Sequence, residues 1–329
     1  MREEILKKCE LLIENRDKMK EVFSWDGGML WLASGAMYTT KGRKVDTERL
    51  QHCKNLIKEQ TGVFSNFRGN VRSAVASMIA LSDTPEQMLA DGLKVHKLLK
   101  QDLHDSAFLP LAAMTIVRLT KPEEYEKVVE KTVALYNGMK KEHPLLTSAE
   151  DSAFCAMLAL SEKSAEVLLS EMEACYKFLC DNSRFPKNAV QSLSHVLAIC
   201  DGPVAEKCEK TMELYETLGA HDVKYGKTYE LPALGVLAME HTDYEALAEE
   251  IKEVSDWLSK QPGFGLFGSI NTKQRAMYAG MMLQDNKSTG SLAESTALQS
   301  SLALIVAEEA AMCAVICCTA AATAANASN

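Results

Sequence analysis

Glu150 and Asp151, adjacent in the chain, and the more distant Glu230 are the carboxylates best suited to acid–base work. A cavity gathering them could protonate one atom of a sugar or nucleotide and deprotonate another, and such chemistry needs no linear motif. His143 stands a few residues before the pair. The same residues have a structural use: Thr147-x-x-Glu150 and Ser148-x-x-Asp151 both have the form of a capping box, in which side-chain oxygens satisfy the free N–H groups at a helix start.

A second constellation is a row rather than a cluster. Arg72, Asp151, Gln191, Glu230 and Arg275 each stand eight or nine residues before the end of a recurring apolar string. If the helices carrying them stack in parallel, the row lines one rim. A rim of alternating charge can bind a peptide or a charged small molecule; ion pairs between adjacent units are its simpler use.

The elements that would position these residues follow from the strings themselves. Met78-Ile79-Ala80-Leu81, Ile116-Val117-Arg118-Leu119, Met157-Leu158-Ala159-Leu160, Val196-Leu197-Ala198-Ile199, Val236-Leu237-Ala238-Met239 and Gly280-Met281-Met282-Leu283 recur about every forty residues, inside the range of two-helix repeat units. The expected fold is all-α, a solenoid-like stack of about seven antiparallel helical hairpins with a period near 40 residues. Each hairpin has a first helix rich in Ala and poor in charge, hence buried, and a longer amphipathic second helix facing solvent. Thr84-Pro85-Glu86-Gln87, Thr120-Lys121-Pro122-Glu123 and Thr242-Asp243-Tyr244-Glu245 read as capping boxes opening three second helices, and Asp46 as the N-cap of an earlier one. Phe67, Phe185 and Tyr225 open three hairpins as staples, and His96, Tyr136, Tyr176, Tyr215 and Trp257, late in the second helices, are expected to pack between units.

Two phrases, Ser65-Asn66-Phe67-Arg68-Gly69-Asn70 and the run from Glu142-His143-Pro144 through Ser152-Ala153-Phe154, together with the Ala-rich tail, resemble an uncharacterised bacterial family, domain of unknown function 4003. The resemblance implies a single-family cytoplasmic protein, and it carries no functional residues across.

Composition narrows the partners. The net charge of -9 repels phosphate backbones, and no basic run of five residues is present, so nucleic acid is excluded as an expected partner. Walker, dinucleotide-binding, zincin and nucleophile-elbow signatures are absent from the sequence. The glycines of Gly263-Phe264-Gly265-Leu266-Phe267-Gly268 follow a helix, not a strand, and read as a loop joining hairpins. Cys175, Cys180, His195 and Cys200 have no familiar zinc spacing, and the ten cysteines read as reduced thiols. No metal and no cofactor is expected. The N-terminus lacks the apolar core of a signal peptide, and with the reduced thiols the protein is expected in the cytoplasm.

Residues 1–287 are expected to form the repeat domain. Residues 288–329 should form an Ala-rich C-terminal helix that docks on the repeats or pairs with a second copy, giving a homo-oligomer. From Ala310 to Ala325 that tail has no charge, yet it is shorter and less apolar than the roughly 20 residues a spanning helix needs, so a membrane is an unlikely partner. The leading expectation is a non-enzymatic scaffold for a protein or peptide partner. The carboxylate enzyme is the alternative and a tail-anchored protein the second alternative.

Overall fold

The computed structural model describes residues 1–265, 268–284 and 315–316. Among these, regular structure is helical throughout, with fourteen α-helices and no strand. They are α1 (Glu3–Val22), α2 (Gly28–Thr39), α3 (Thr47–Gln60), α4 (Arg72–Leu81), α5 (Pro85–Leu99), α6 (Leu109–Leu119), α7 (Tyr125–Glu142), α8 (Asp151–Ala159), α9 (Ala165–Asn182), α10 (Lys187–Ile199), α11 (Val204–Ala220), α12 (Leu231–Glu240), α13 (Tyr244–Ser259) and α14 (Thr272–Leu283). The chain forms two compact units, the first from Met1–Ile13, Thr39–Gly42 and Ser170–Met312, the second from Glu14–Tyr38, Arg43–Leu169 and Cys313–Asn329.

The apolar strings form the buried helices. Leu81, Leu119, Ile199 and Leu283 are the last residues of α4, α6, α10 and α14, and Leu160 and Met239 stand within one residue of the ends of α8 and α12. In α6 every residue from Leu109 to Val117 is buried, and α8 is buried along its whole length. Their long partners bury one stripe only: α13 hides Tyr244, Leu247, Ala248, Ile251, Val254, Ser255 and Leu258, the three- and four-residue spacing of an amphipathic helix. In the second unit α4 packs on α6 and α6 on α8; in the first, α10 packs on α12 and α12 on α14.

Two details correct the sequence reading. An outer helix lies more extensively against the inner helix that follows it (α5 on α6, α7 on α8, α13 on α14) than against the one before it. Of the Thr capping boxes, none forms. Thr84 makes no cap bond, the Thr120 hydroxyl donates 2.6 Å back to the Ile116 carbonyl, and α13 is capped by Asp243, which accepts from the Ala246 N–H at 3.0 Å. The Asp46 cap is present, accepting from the Arg49 N–H at 3.0 Å. A complete capping box opens α14 instead, built from Asn271 and Gln274.

Helix C-termini carry a device of their own. Arg49 donates to the Ala80 carbonyl at 2.7 Å, Lys131 to Ser161 and Lys163 at 2.6 Å each, Lys207 to Cys200 at 2.8 Å and Lys8 to Gln284 at 3.0 Å. Each cation sits on an outer helix and satisfies carbonyls that have no partner within the inner helix, where the helix dipole also favours positive charge.

Gly35 lets α2 approach α1 closely. A Cβ there would lie 2.9 Å from the Arg16 backbone nitrogen. Alanine is worth about 1 kcal/mol more than glycine in a helix interior, but overpacking against backbone costs about 1–3 kcal/mol because backbone cannot rotate aside. Gly35→Ala is therefore expected to lower stability by about 1 kcal/mol in urea unfolding, against the propensity trend.

Of the Ala-rich tail, Val315 and Ile316 are described; they are helical and buried. Residues 285–314 and 317–329, and with them the expected docking, self-association or anchoring of the tail, lie outside the described residues. Among the described residues no helix is long and apolar enough to cross a membrane.

Candidate functional site

The carboxylate pair sits where α7 hands the chain to α8. After α7 the backbone turns under two bonds into the His143 carbonyl, from the Leu146 N–H (3.1 Å) and the Thr147 N–H (2.9 Å), and Lys140 clamps the Pro144 and Thr147 carbonyls at 2.9 and 2.8 Å. Asp151 then opens α8. Its side chain is 4% exposed, and Oδ2 accepts the Ser148 N–H at 2.7 Å. Ser148-x-x-Asp151 thus forms half of the anticipated box. Burial drives the Asp151 carboxyl up to about 7, the Ser148 N–H opposes that rise, and the Glu150 charge adds to it. Burial also raises the Glu150 carboxyl above its ordinary range. Tyr136 of α7, half-buried, has its phenol raised by burial and further by Asp151.

Glu230 repeats the arrangement at the head of α12. It is 2% exposed, and Oε2 accepts the Thr228 N–H at 3.1 Å and the Thr228 hydroxyl at 2.6 Å. Its carboxyl fills the space a Cβ on residue 226 would need, which is why the turn Tyr225-Gly226-Lys227-Thr228 carries glycine. At the head of α14, Gln274 Oε1 accepts the Asn271 N–H at 2.8 Å, and its amide nitrogen donates to the Tyr229 hydroxyl. In three inner helices, then, a side chain of the first turn or cap reaches back to an N–H of its own entry turn.

The rest of the row is also engaged within the molecule. Arg72, at the head of α4, donates to Asp26 at 2.6 Å, and Arg275 donates to the Ser255 hydroxyl at 3.2 Å and the Phe264 carbonyl at 2.9 Å. Gln191 is buried in α10. Arg72 and Asp151 belong to the second unit, with Glu150; Gln191, Glu230 and Arg275 belong to the first.

The hairpin-opening aromatics meet the late-helix aromatics edge-on, Phe67 against His96 at 5.2 Å and Phe185 against Tyr215 at 5.0 Å. Both contacts lie within one repeat, not between repeats as the spacing suggested. A polar cluster that the sequence reading passed over lies beside the first of them. Asp105 accepts from Asn66 at 2.8 Å, Lys100 at 2.6 Å and His96 at 3.2 Å. Burial alone would raise this carboxyl, but the Lys100 and Asn66 bonds outweigh it and hold it below the usual range. The available signal was positional, since Asp105 precedes Leu119 by the interval that separates Phe67 from Leu81. Among the described residues no three His, Cys, Asp or Glu side chains are arranged to hold a metal ion.

The model of a family described as a protein of unknown function (DUF4003) matches residues 15–311. The chain belongs to the DUF4003 family. The uncharacterized protein YeaA of Bacillus subtilis (strain 168) is 24% identical over 309 residues, covering 92% of this chain and 91% of its own length. No solved structure matches the chain. In this DUF4003 protein the acidic heads of α8 and α12 can do two things. They can hold an inner helix on its entry turn, and at α8 they can store a proton near neutral pH.

Proposed function

We propose that this DUF4003 protein is a cytoplasmic helical-repeat scaffold, about seven hairpins of near-forty-residue period, whose rim holds a protein or peptide partner. The observation carrying this reading is the recurrence of one plan: buried inner helices that end on the same string, three of which begin on a side chain bonded back to its own turn. Stacked repeats of this kind characteristically bind along an extended face. The seven described cysteines, all free thiols, support a reducing compartment.

Arg72 and Asp151 form the proposed rim within the second unit, and Gln191, Glu230 and Arg275 the corresponding row within the first; Arg72, with a side chain 38% exposed, is the more accessible charged member in the second unit. The other reading, an acid–base enzyme acting on a sugar or nucleotide through Glu150 and Asp151 of the second unit or Glu230 of the first, draws support from the raised Glu150 and Asp151 carboxyls. Against it, Asp151 and Glu230 already spend oxygens on their own turns. Cross-linked complexes recovered from the native cell with wild type and with Arg72→Ala separate the readings. The scaffold predicts a species lost with the variant while its circular dichroism spectrum is unchanged; identical complexes would remove the rim.

A further inference from the structure

We propose that the Asp201-Gly202 step, in the turn between α10 and α11, is a site of spontaneous aspartate isomerisation whose product loosens the hold on the end of α10. An aspartyl side chain followed by glycine can react with its own chain, because the glycine nitrogen reaches the carboxyl carbon with no Cβ in the way. Steps of this kind occur at Asp26-Gly27, Asp91-Gly92 and Asp201-Gly202, and their asparagine counterpart at Asn137-Gly138. The fold selects among them.

Two of these steps lie inside helices, Asp91-Gly92 in α5 and Asn137-Gly138 in α7. There the glycine N–H is committed to a carbonyl one turn back, so ring closure waits on local opening of the helix. Asp91 is also buried, and it is held by Gln87 at 2.8 Å and Lys94 at 2.9 Å. Asp26 stands in a loop, but it is 8% exposed and pinned by Arg72 at 2.6 Å. Asp201 differs on every count. It is exposed in the turn Cys200-Asp201-Gly202-Pro203, outside both helices. Gly202 has a φ of 104° and open space where a Cβ would stand, and among the described residues no hydrogen bond engages its N–H.

The reaction needs no partner but water. The Gly202 nitrogen bonds to Cγ of Asp201 as the Cγ–OH bond breaks, and the amide proton leaves with that hydroxyl as water, closing a succinimide ring. Water then adds to one of the ring carbonyls. Addition at Cγ restores aspartate, whereas addition at the main-chain carbonyl breaks its bond to the Gly202 nitrogen. The chain then runs through Cγ, longer by a methylene, with a new carboxyl on Cα and no net change in composition. The altered step falls between two acceptors of a single residue: Lys207 donates through Nζ to the Cys200 carbonyl at 2.8 Å and through its backbone N–H to the Pro203 carbonyl at 3.1 Å. Lengthening the chain between them shifts one acceptor against the other, and the buried Lys207 ammonium has no water to replace the bond it loses. This inference is independent of the scaffold reading.

The test incubates the full chain in heavy-oxygen water at about pH 5, where part of the carboxyl is protonated and can leave as water, and maps oxygen incorporation by peptide mass spectrometry. The expected result is incorporation at Asp201 at least about tenfold faster than at Asp26 or Asp91 in the folded chain, and incorporation at all three in urea. The product should resist an endoproteinase that cleaves before ordinary aspartate. Asp201→Glu, whose longer side chain closes a larger and slower ring, should incorporate none there, and Asp201→Asn should lose ammonia at the same step. The isomerised form should unfold at a lower urea concentration than the fresh chain, and that shift should shrink in Lys207→Met, which has no ammonium bond to lose. Equal incorporation at Asp26 or Asp91 in the folded chain, or none at Asp201, overturns the proposal. So does an isomerised form as stable as the fresh chain.

Discussion

Asp151→Asn is expected to stabilise the protein at about pH 8 by as much as about 4 kcal/mol while changing little near pH 4. Burial raises the folded-state pKa of Asp151 from 3.8 to about 7. Between those values the folded chain keeps a proton that the unfolded chain has released, so stability falls as pH rises through the window and the loss is complete above the folded value. At about 1.4 kcal/mol per unit, a gap of about three units gives the figure above. Asparagine is isosteric and its carbonyl oxygen still accepts the Ser148 N–H, so the variant removes the ionisation and keeps the bond. Glu150 is shifted in the same direction and leaves a shallower slope of the same sign in the variant; Lys140, which favours the ionised form, is unchanged. Urea unfolding of both proteins at about pH 4.5, 6 and 8 reads the effect. A difference between them that does not grow with pH would mean that Asp151 is not held protonated by burial.

That window was out of reach of the sequence, although both residues were visible in it. The local pattern identified Ser148 and Asp151 as a helix-start pair, but a capping pattern says nothing of burial, and Asp151 is 4% exposed at the first residue of α8. What the sequence does encode is burial at regular intervals, which is why the strings ending at Leu81, Leu119, Ile199 and Leu283 coincide with helix ends. Competition for a single group is much harder to read. Thr120 carries the capping pattern, yet its hydroxyl is spent on the Ile116 carbonyl one turn back, and both outcomes use the same residues. Partners far apart in sequence leave no local trace at all. Ion pairing was the simpler use of the row, but its partners could not be named: Asp26, which pairs with Arg72, lies in another loop, and the acceptors of Arg275 belong to Ser255 and Phe264. The row was therefore legible in its residue types and spacing, while its bonding became visible only in three dimensions.

Lys207→Met is expected to cost about 3 kcal/mol, more than the equivalent change at any other C-terminal cation of the inner helices. The Lys207 side chain is 2% exposed, and its ammonium group donates to the Cys200 carbonyl at the end of α10 and to Glu171 of α9 at 2.9 Å. Methionine fills similar volume, so the loss is electrostatic: a helix-end carbonyl without its donor and a carboxylate without its cation. Because Glu171 is 25% exposed, water recovers part of the second term, which keeps the figure at the low end of the about 3–5 kcal/mol typical of a broken buried pair. Lys131→Met is the internal control. That half-buried lysine bonds the Ser161 and Lys163 carbonyls with no carboxylate among its bonds, and its loss should cost about 1 kcal/mol. Adding Glu171→Gln to Lys207→Met should recover part of the loss, because the uncompensated carboxylate is then gone while the α10 carbonyl still lacks its donor. Equal destabilisation by Lys207→Met and Lys131→Met, with no recovery in the double variant, would show that the ion pair contributes nothing and that Lys207 acts on the α10 terminus alone.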